Sequence, residues 1–159
     1  METHVRAPLF DRLVDREPQS PAEPRPLRTL DPRGLRESVR RELERMLNTR
    51  SSLPVDRLVA RGELTVLEYG IPDLSAFSAG NEDDRRLLLQ LVARAVAAFE
   101  PRLRGVRVGF ESERLEEGRH ALRLRIDADL VTDEVAEPVS FPTLFGLKSG
   151  LVEVGALGG

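Results

Sequence analysis

Two runs of alternating apolar residues constrain this 159-residue chain more than any other feature. Val106, Val108 and Phe110 alternate with polar residues, and so do Leu122, Leu124, Ile126, Ala128 and Leu130. A period of two puts each set on one face of a strand. The segment between the runs contains Glu116-Glu117-Gly118, which suits a tight loop with Gly118 in the left-handed conformation. That loop sets a register in which Val106 faces Ala128, Val108 faces Ile126 and Phe110 faces Leu124. On the opposite face Arg107 then meets Asp127 and Glu111 meets Arg123, two opposite-charge pairs that support the register. A slip by one residue would turn the apolar set into water.

Helical periods flank this hairpin. Leu35, Val39, Leu43 and Met46/Leu47 recur on one face of a 3.6-residue repeat, which predicts a helix over 35–47. A second helix is predicted over 82–99, capped by Asn81 or Ser78, started by Glu82, Asp83 and Asp84, and stopped by Pro101. Its stripe is Leu88, Leu91/Val92, Ala95 and Phe99, widened by Leu87, Leu89, Val96 and Ala98, so it should lie across a sheet. Leu64–Tyr69 is expected as a short strand ended by Gly70 and Pro72. Val139–Phe145 is a third candidate strand, which Pro142 either confines to a sheet edge or ends. Residues 17–34 carry prolines at 18, 21, 24, 26 and 32 and read as an extended linker. The expected organisation is an N-terminal anchor segment over 1–16, the linker over 17–34, a domain over 35–147 and a loose tail over 148–159. The fold class is α+β in two layers: a long helix on a small antiparallel sheet of three or four strands, with a second helix nearby.

Composition removes whole classes of function. The net charge of -3 and pI near 5.5 give no concentrated basic surface, so a general nucleic-acid binder is not expected. The basic residues are 23 Arg and one Lys, Lys148, a skew that fits a GC-rich coding bias. With no Cys there are no disulfides, thiolate metal sites or cysteine nucleophiles. The first ten residues lack the apolar core of a signal peptide, and the runs Leu87–Leu89 and Ala95–Phe99 are too short to span a bilayer. The expected compartment is the cytoplasm, without membrane insertion.

Motifs for phosphate binding, dinucleotide binding, serine hydrolysis and zinc proteolysis are absent from the sequence. The two histidines, His4 and His120, fall in the arm and at the hairpin turn, which leaves no imidazole pair for a metal. No cofactor or small-molecule substrate is expected. A carboxylate-pair hydrolase would need one acid in an apolar setting that raises its pKa. Glu68, Asp73 and Glu100 are the candidates with apolar flanks, and nothing in the sequence joins two of them into a cleft.

Two features point to partners. Leu9-Phe10-Asp11-Arg12-Leu13-Val14 is an apolar cluster ahead of the linker. It fits either a short helix docked on its own domain or an anchor for another protein, through Leu9, Phe10 and Leu13. Glu100-Pro101-Arg102 sits where the long helix meets the hairpin, and the proline stiffens the bend. It reads either as a helix stop with two solvated charges or as a rigid ionic hook for a partner.

Four segments in order, Leu9–Leu13, Leu43–Ser51 with Leu47-Asn48-Thr49-Arg50, Leu67-Glu68-Tyr69-Gly70-Ile71-Pro72-Asp73-Leu74, and Phe99-Glu100-Pro101-Arg102-Leu103, carry a resemblance. The chain resembles the TssE baseplate family of bacterial type VI secretion systems, within the wider group of contractile-phage baseplate wedge proteins. The resemblance implies an assembly component without turnover, which holds other wedge subunits and starts the contractile sheath at the cytoplasmic side of the inner membrane. It assigns sheath contact to Glu100, Pro101 and Arg102. Family members are also called lysozyme-like, so a peptidoglycan hydrolase is the contrasting reading. The wedge protein of a phage tail or an extracellular contractile particle is the nearer one. The long Pro-rich linker departs from the family pattern. A short exposed edge at Val139–Phe145 would also suit strand addition by a partner.

Overall fold

The computed structural model describes residues 5–13, 18–20, 29–112, 121–132, 136–147 and 149–155, with the side chains of Phe10 and Ser112 excepted. The Glu116-Glu117-Gly118 loop, both histidines, Val14, Lys148 and prolines 21, 24 and 26 lie outside the described residues. The fold is α+β, with four α-helices, one 3-10 helix and two antiparallel sheets of two and four strands among the described residues. It divides into two compact units, residues 1–39 and 40–159.

The first unit is small. β1 (Val5–Arg6) pairs antiparallel with β2 (Thr29–Leu30), and α1 (Leu9–Leu13) lies between them in sequence. Asp11 of α1 is buried and accepts the Ser38 hydroxyl at 2.5 Å. Ala7, Leu30, Leu35 and Val39 are buried with them, whereas Leu9 and Leu13 face outward. The strand at 29–30 replaces the last part of the expected linker.

α2 (Pro32–Leu47) begins three residues before the expected start. The Asp31 carboxylate accepts the Gly34 amide at 2.7 Å, and Pro32 takes the first helical position. There a missing N–H costs nothing and the fixed φ is already helical, so this proline starts a helix. The expected stripe holds: Leu35, Val39, Leu43, Met46 and Leu47 are all buried.

In the second unit α3 (Val55–Ala60) is a helix that the sequence reading missed. Its last carbonyls are met by Arg94, which donates to Leu58 O at 2.9 Å and Arg61 O at 2.6 Å. The expected strand at Leu64–Tyr69 is instead a 3-10 helix over Val66–Glu68. Thr65 and Glu68 close a capping box: the Glu68 carboxylate accepts the Thr65 amide and hydroxyl, both at 2.7 Å, and Thr65 Oγ1 accepts the Leu67 amide. A cap of this kind outweighs the β-propensity of Val66 because it satisfies donors a short helix cannot.

α4 (Glu82–Phe99) has the expected span. The Asn81 side chain caps it, accepting from Asp83 N and Asp84 N. The four-stranded sheet runs β3 (Leu103–Ser112), β4 (Ala121–Val131), β5 (Ala136–Gly146) and β6 (Val152–Val154) in that order. Val108 faces Ile126, Phe110 faces Leu124 and Arg107 faces Asp127, as expected. Two bulges shift the rest. Gly105 and Val106 together oppose Ala128, with Gly105 at φ +62°, so Val106 does not make the expected one-to-one pair. Glu111 is the extra residue of the second bulge, and Arg123 faces Ser112 in its place.

β5 is interior only at Thr143–Phe145, so the edge assignment of Val139–Phe145 is corrected for its C-terminal part, where β6 covers it. It pairs along all of β4, and Thr143–Phe145 pair with β6. Pro142 is tolerated because its nitrogen points to the same outer side as its carbonyl, which accepts Gly155 N at 2.7 Å, so no ladder bond to β4 is lost. β6 corrects the expected loose tail. Val152 and Val154 are buried, and side chains hold the strand's backbone: Asn48 pairs with Val152 N and O, Arg40 donates to Val154 O, and Arg50 donates to Gly150 O.

Candidate functional site

The Glu100-Pro101-Arg102 corner is assembled by the end of α4. Glu100 N makes the last helical bond, to Val96 O at 2.9 Å. Glu100 then leaves helical geometry at φ −117°, ψ 82°, as a residue before proline should. Leu103 N returns to Glu100 O at 3.0 Å, closing a turn with Pro101 at its second position. Val131 N donates to Arg102 O at 2.8 Å, which ties the corner to the far end of β4.

Within this turn the acid and the base hold each other. Arg102 Nε and Nη2 donate to Glu100 Oε1 and Oε2 at 2.6 and 2.5 Å, and Arg102 N adds a third bond at 3.2 Å. Two parallel charge-assisted bonds fix the guanidinium plane. Glu100 is only 4% exposed, while the Arg102 side chain is 22% exposed and Pro101 is open to solvent. The expected hook with two presented charges is therefore corrected. The carboxylate is internal, and the surface offered at the bend is Pro101 with the rim of an oriented Arg102.

Other pieces of the sequence meet behind this corner. The Tyr69 ring stands edge-on to Phe99, centroids 5.2 Å apart. Burial first, and then Glu42 and Glu100, hold the Tyr69 hydroxyl above its ordinary pKa. Gly70 has φ +97°, and a Cβ there would lie 2.3 Å from Thr49 O. Only glycine permits this approach, which lets Ile71 N donate to Thr49 O and Ser51 N donate to Ile71 O. So Leu47–Ser51, Tyr69–Ile71 and Phe99–Arg102 form one contiguous region of the second unit. Sequence reasoning saw these segments separately. The glycine between an aromatic residue and Ile-Pro was the available signal for their junction.

The acids singled out for hydrolysis have structural partners. Glu68 is 3% exposed, and the Thr65 hydroxyl and amide hold its pKa below the usual value, opposed by burial and assisted by Arg61. Asp73 is also lowered, chiefly by its bonds to Ser75. Glu100 is engaged by Arg102. A general acid needs a raised pKa, the opposite of the shifts at Glu68 and Asp73. Glu111 and Glu153 line a shallow depression with Arg123 on the outer sheet, and both are solvent-exposed. Among the described residues no group of three His, Cys, Asp or Glu is placed to hold a metal, and no helix is long and apolar enough to cross a membrane.

Residues 33–135 match the family of the baseplate wedge protein gp25. The chain belongs to that baseplate wedge family. The matched span includes the corner, the Tyr69–Gly70 junction and α4. No curated protein and no solved structure matches the chain significantly. Wedge-family membership supports a structural role in a phage-tail-like baseplate, in contact with other baseplate proteins. Leu9, Phe10 and Leu13 precede the matched span. Leu9 and Leu13 are exposed on α1, and the side chain of Phe10 lies outside the described residues.

Proposed function

We propose that this chain is the wedge subunit of a type VI secretion baseplate, acting on the cytoplasmic side of the inner membrane. In this reading it joins other wedge subunits to the first sheath ring and starts sheath assembly, without catalysis. The observation that carries the reading is the match over 33–135, which contains a corner built to orient one arginine. Arg102 and Pro101 meet the sheath, and Glu100 positions Arg102. α4 meets β3 at one point, where Arg85 in its first turn stacks 4.7 Å from the Phe110 ring, and its last turn leads into β3. β6 pairs with β5 only at Thr143–Phe145, and the edge of β5 at Val139–Phe141 suits an added strand from the sheath. Leu9, Phe10 and Leu13 serve as the anchor toward another wedge subunit.

The test is co-purification of the full chain with candidate sheath and wedge proteins from a type VI cluster. Arg102→Ala should lose the sheath protein while retaining wedge subunits. Leu9→Ser/Leu13→Ser should do the reverse. Sheath capture that persists with Arg102→Ala overturns the role of the corner. Capture of phage-tail proteins instead moves the chain to that related machine.

A further inference from the structure

Both prolines of β5 fall in one phase of its ladder. Gly155 N donates to Pro142 O, so the backbone polar groups of Pro142 point away from β4. In an unbroken antiparallel strand these groups alternate between the two edges from residue to residue. β5 pairs with β4 over all 11 of its residues without a bulge. Pro138 and Ser140 therefore turn their polar groups outward with Pro142, while Val139, Phe141 and Thr143 turn theirs to β4. A hydrogen bond at the other end of the strand gives the same phase. Val131 N donates to Arg102 O, on the β3 side of β4. Residues directly opposite in an antiparallel ladder either exchange bonds or both turn away. Ala136 lies opposite Val131, so it turns outward, and so does every second residue after it.

In this phase a missing N–H costs the ladder with β4 nothing and is felt only at the edge of the sheet. Pro142 has no donor, and its carbonyl already serves Gly155. Pro138 has a carbonyl to offer and no donor. Ser140, between them, turns both an N–H and a C=O outward. Beyond Pro142 the sheet is closed by β6, whose own backbone is met by side chains: Asn48 at Val152 N and O, and Arg40 at Val154 O. An ordinary edge presents a donor and an acceptor at every second residue and is a template for other strands, copies of itself included. Here the row is interrupted on both sides of Ser140. We propose that Pro138 guards this edge against pairing with a second copy of the protein, and that Ser140 is left as the docking point for an added strand. The docking half rests on the sheath-strand reading above; the guarding half does not.

The full chain tests both halves. Ser140→Pro removes the outward donor between the two prolines. Its nitrogen faces away from β4, so the variant should keep the wild-type melting temperature and still retain wedge subunits, while capture of a candidate type VI sheath protein falls about tenfold or more. Val139→Pro removes a donor that faces β4 and should lower the melting temperature. Pro138→Thr restores an outward donor and should self-associate in sedimentation at concentrations where the wild type is a monomer; adding Ser140→Pro should reverse that. Equal destabilisation by Ser140→Pro and Val139→Pro overturns the phase and both halves with it. A monomeric Pro138→Thr overturns the guard, and so does a wild-type dimer that Ser140→Pro dissociates. Sheath capture by Ser140→Pro equal to wild type overturns the docking point. A wild type that captures no sheath protein overturns the sheath-strand reading together with the docking half, and sedimentation still decides the guard.

Discussion

Glu100 and Glu68 are both buried carboxylates at short turns, and they are satisfied in opposite ways. Glu100 is held by a guanidinium, and the pair leaves the cation's rim in water. Glu68 is held mainly by a hydroxyl and an amide, and its turn pushes two aliphatic side chains into water. The first device orients a charge at the surface. The second orients an apolar pair. In neither case is the acid itself exposed, and each fixes the orientation of the neighbours it holds.

The largest break in this comparison should come from Arg102→Ala. It leaves the Glu100 carboxylate buried without its fork, at an expected cost of about 3 kcal/mol, the low end for breaking a buried pair because Arg102 is partly open. Urea unfolding measures it. Glu100→Gln on the Arg102→Ala background should recover most of that loss, since the stranded charge is gone. A change below about 0.5 kcal/mol in Arg102→Ala would show that water already satisfies Glu100.

Thr65→Ala breaks the other device. It removes an N-cap hydroxyl that bonds both Leu67 N and Glu68, and should cost about 1 kcal/mol. The loss should appear as faster amide exchange at Leu67 and Glu68, with the sheet amides unchanged.

These two devices also show what was legible beforehand. The buried stripe of α2, the centre of the α4 stripe (Leu88, Leu91, Val92, Ala95 and Val96, though Phe99 is half-buried and Ala98 exposed) and the centre of the hairpin follow from periodicity, and the span of α4 from its cap and Pro101. Periodicity missed what short polar contacts decide. Asp31 and Pro32 start α2 early; the Thr65–Glu68 box replaces a strand with a 3-10 turn; Asn48, Arg40 and Arg50 convert a glycine-rich tail into β6. Gly105 and Glu111 make bulges because the hairpin has more residues on one strand than its partner can pair. The corner was visible as a motif, but the burial of Glu100 depends on a turn that folds acid and base onto each other, and spacing does not carry that.

Acid should open the Glu68 turn. The folded pKa of Glu68 lies below its ordinary value of 4.5, so its ionised form is favoured by folding. Its contribution is complete above the unfolded value and is lost as pH falls through the depressed one. Thr65→Ala should move the Glu68 titration upward, toward the ordinary value, and the turn should open at a higher pH. Carboxyl-carbon NMR titration reads both changes. An unmoved Glu68 titration in Thr65→Ala would assign the shift to Arg61, whose nitrogen lies 3.6 Å from the carboxylate.

The smallest expected effect is on stability in Val66→Ser. Val66 is almost fully exposed, so the change should stay within about 0.5 kcal/mol. That near-neutrality sharpens the contrast with Glu68, one turn position away and buried. If Val66 contributed to the core of the isolated chain, its replacement would cost as much as losing a buried aliphatic group, about 1 kcal/mol or more. A neutral change means that the turn gives its one inward position to an acid, and that its apolar positions add nothing to the core of the isolated chain.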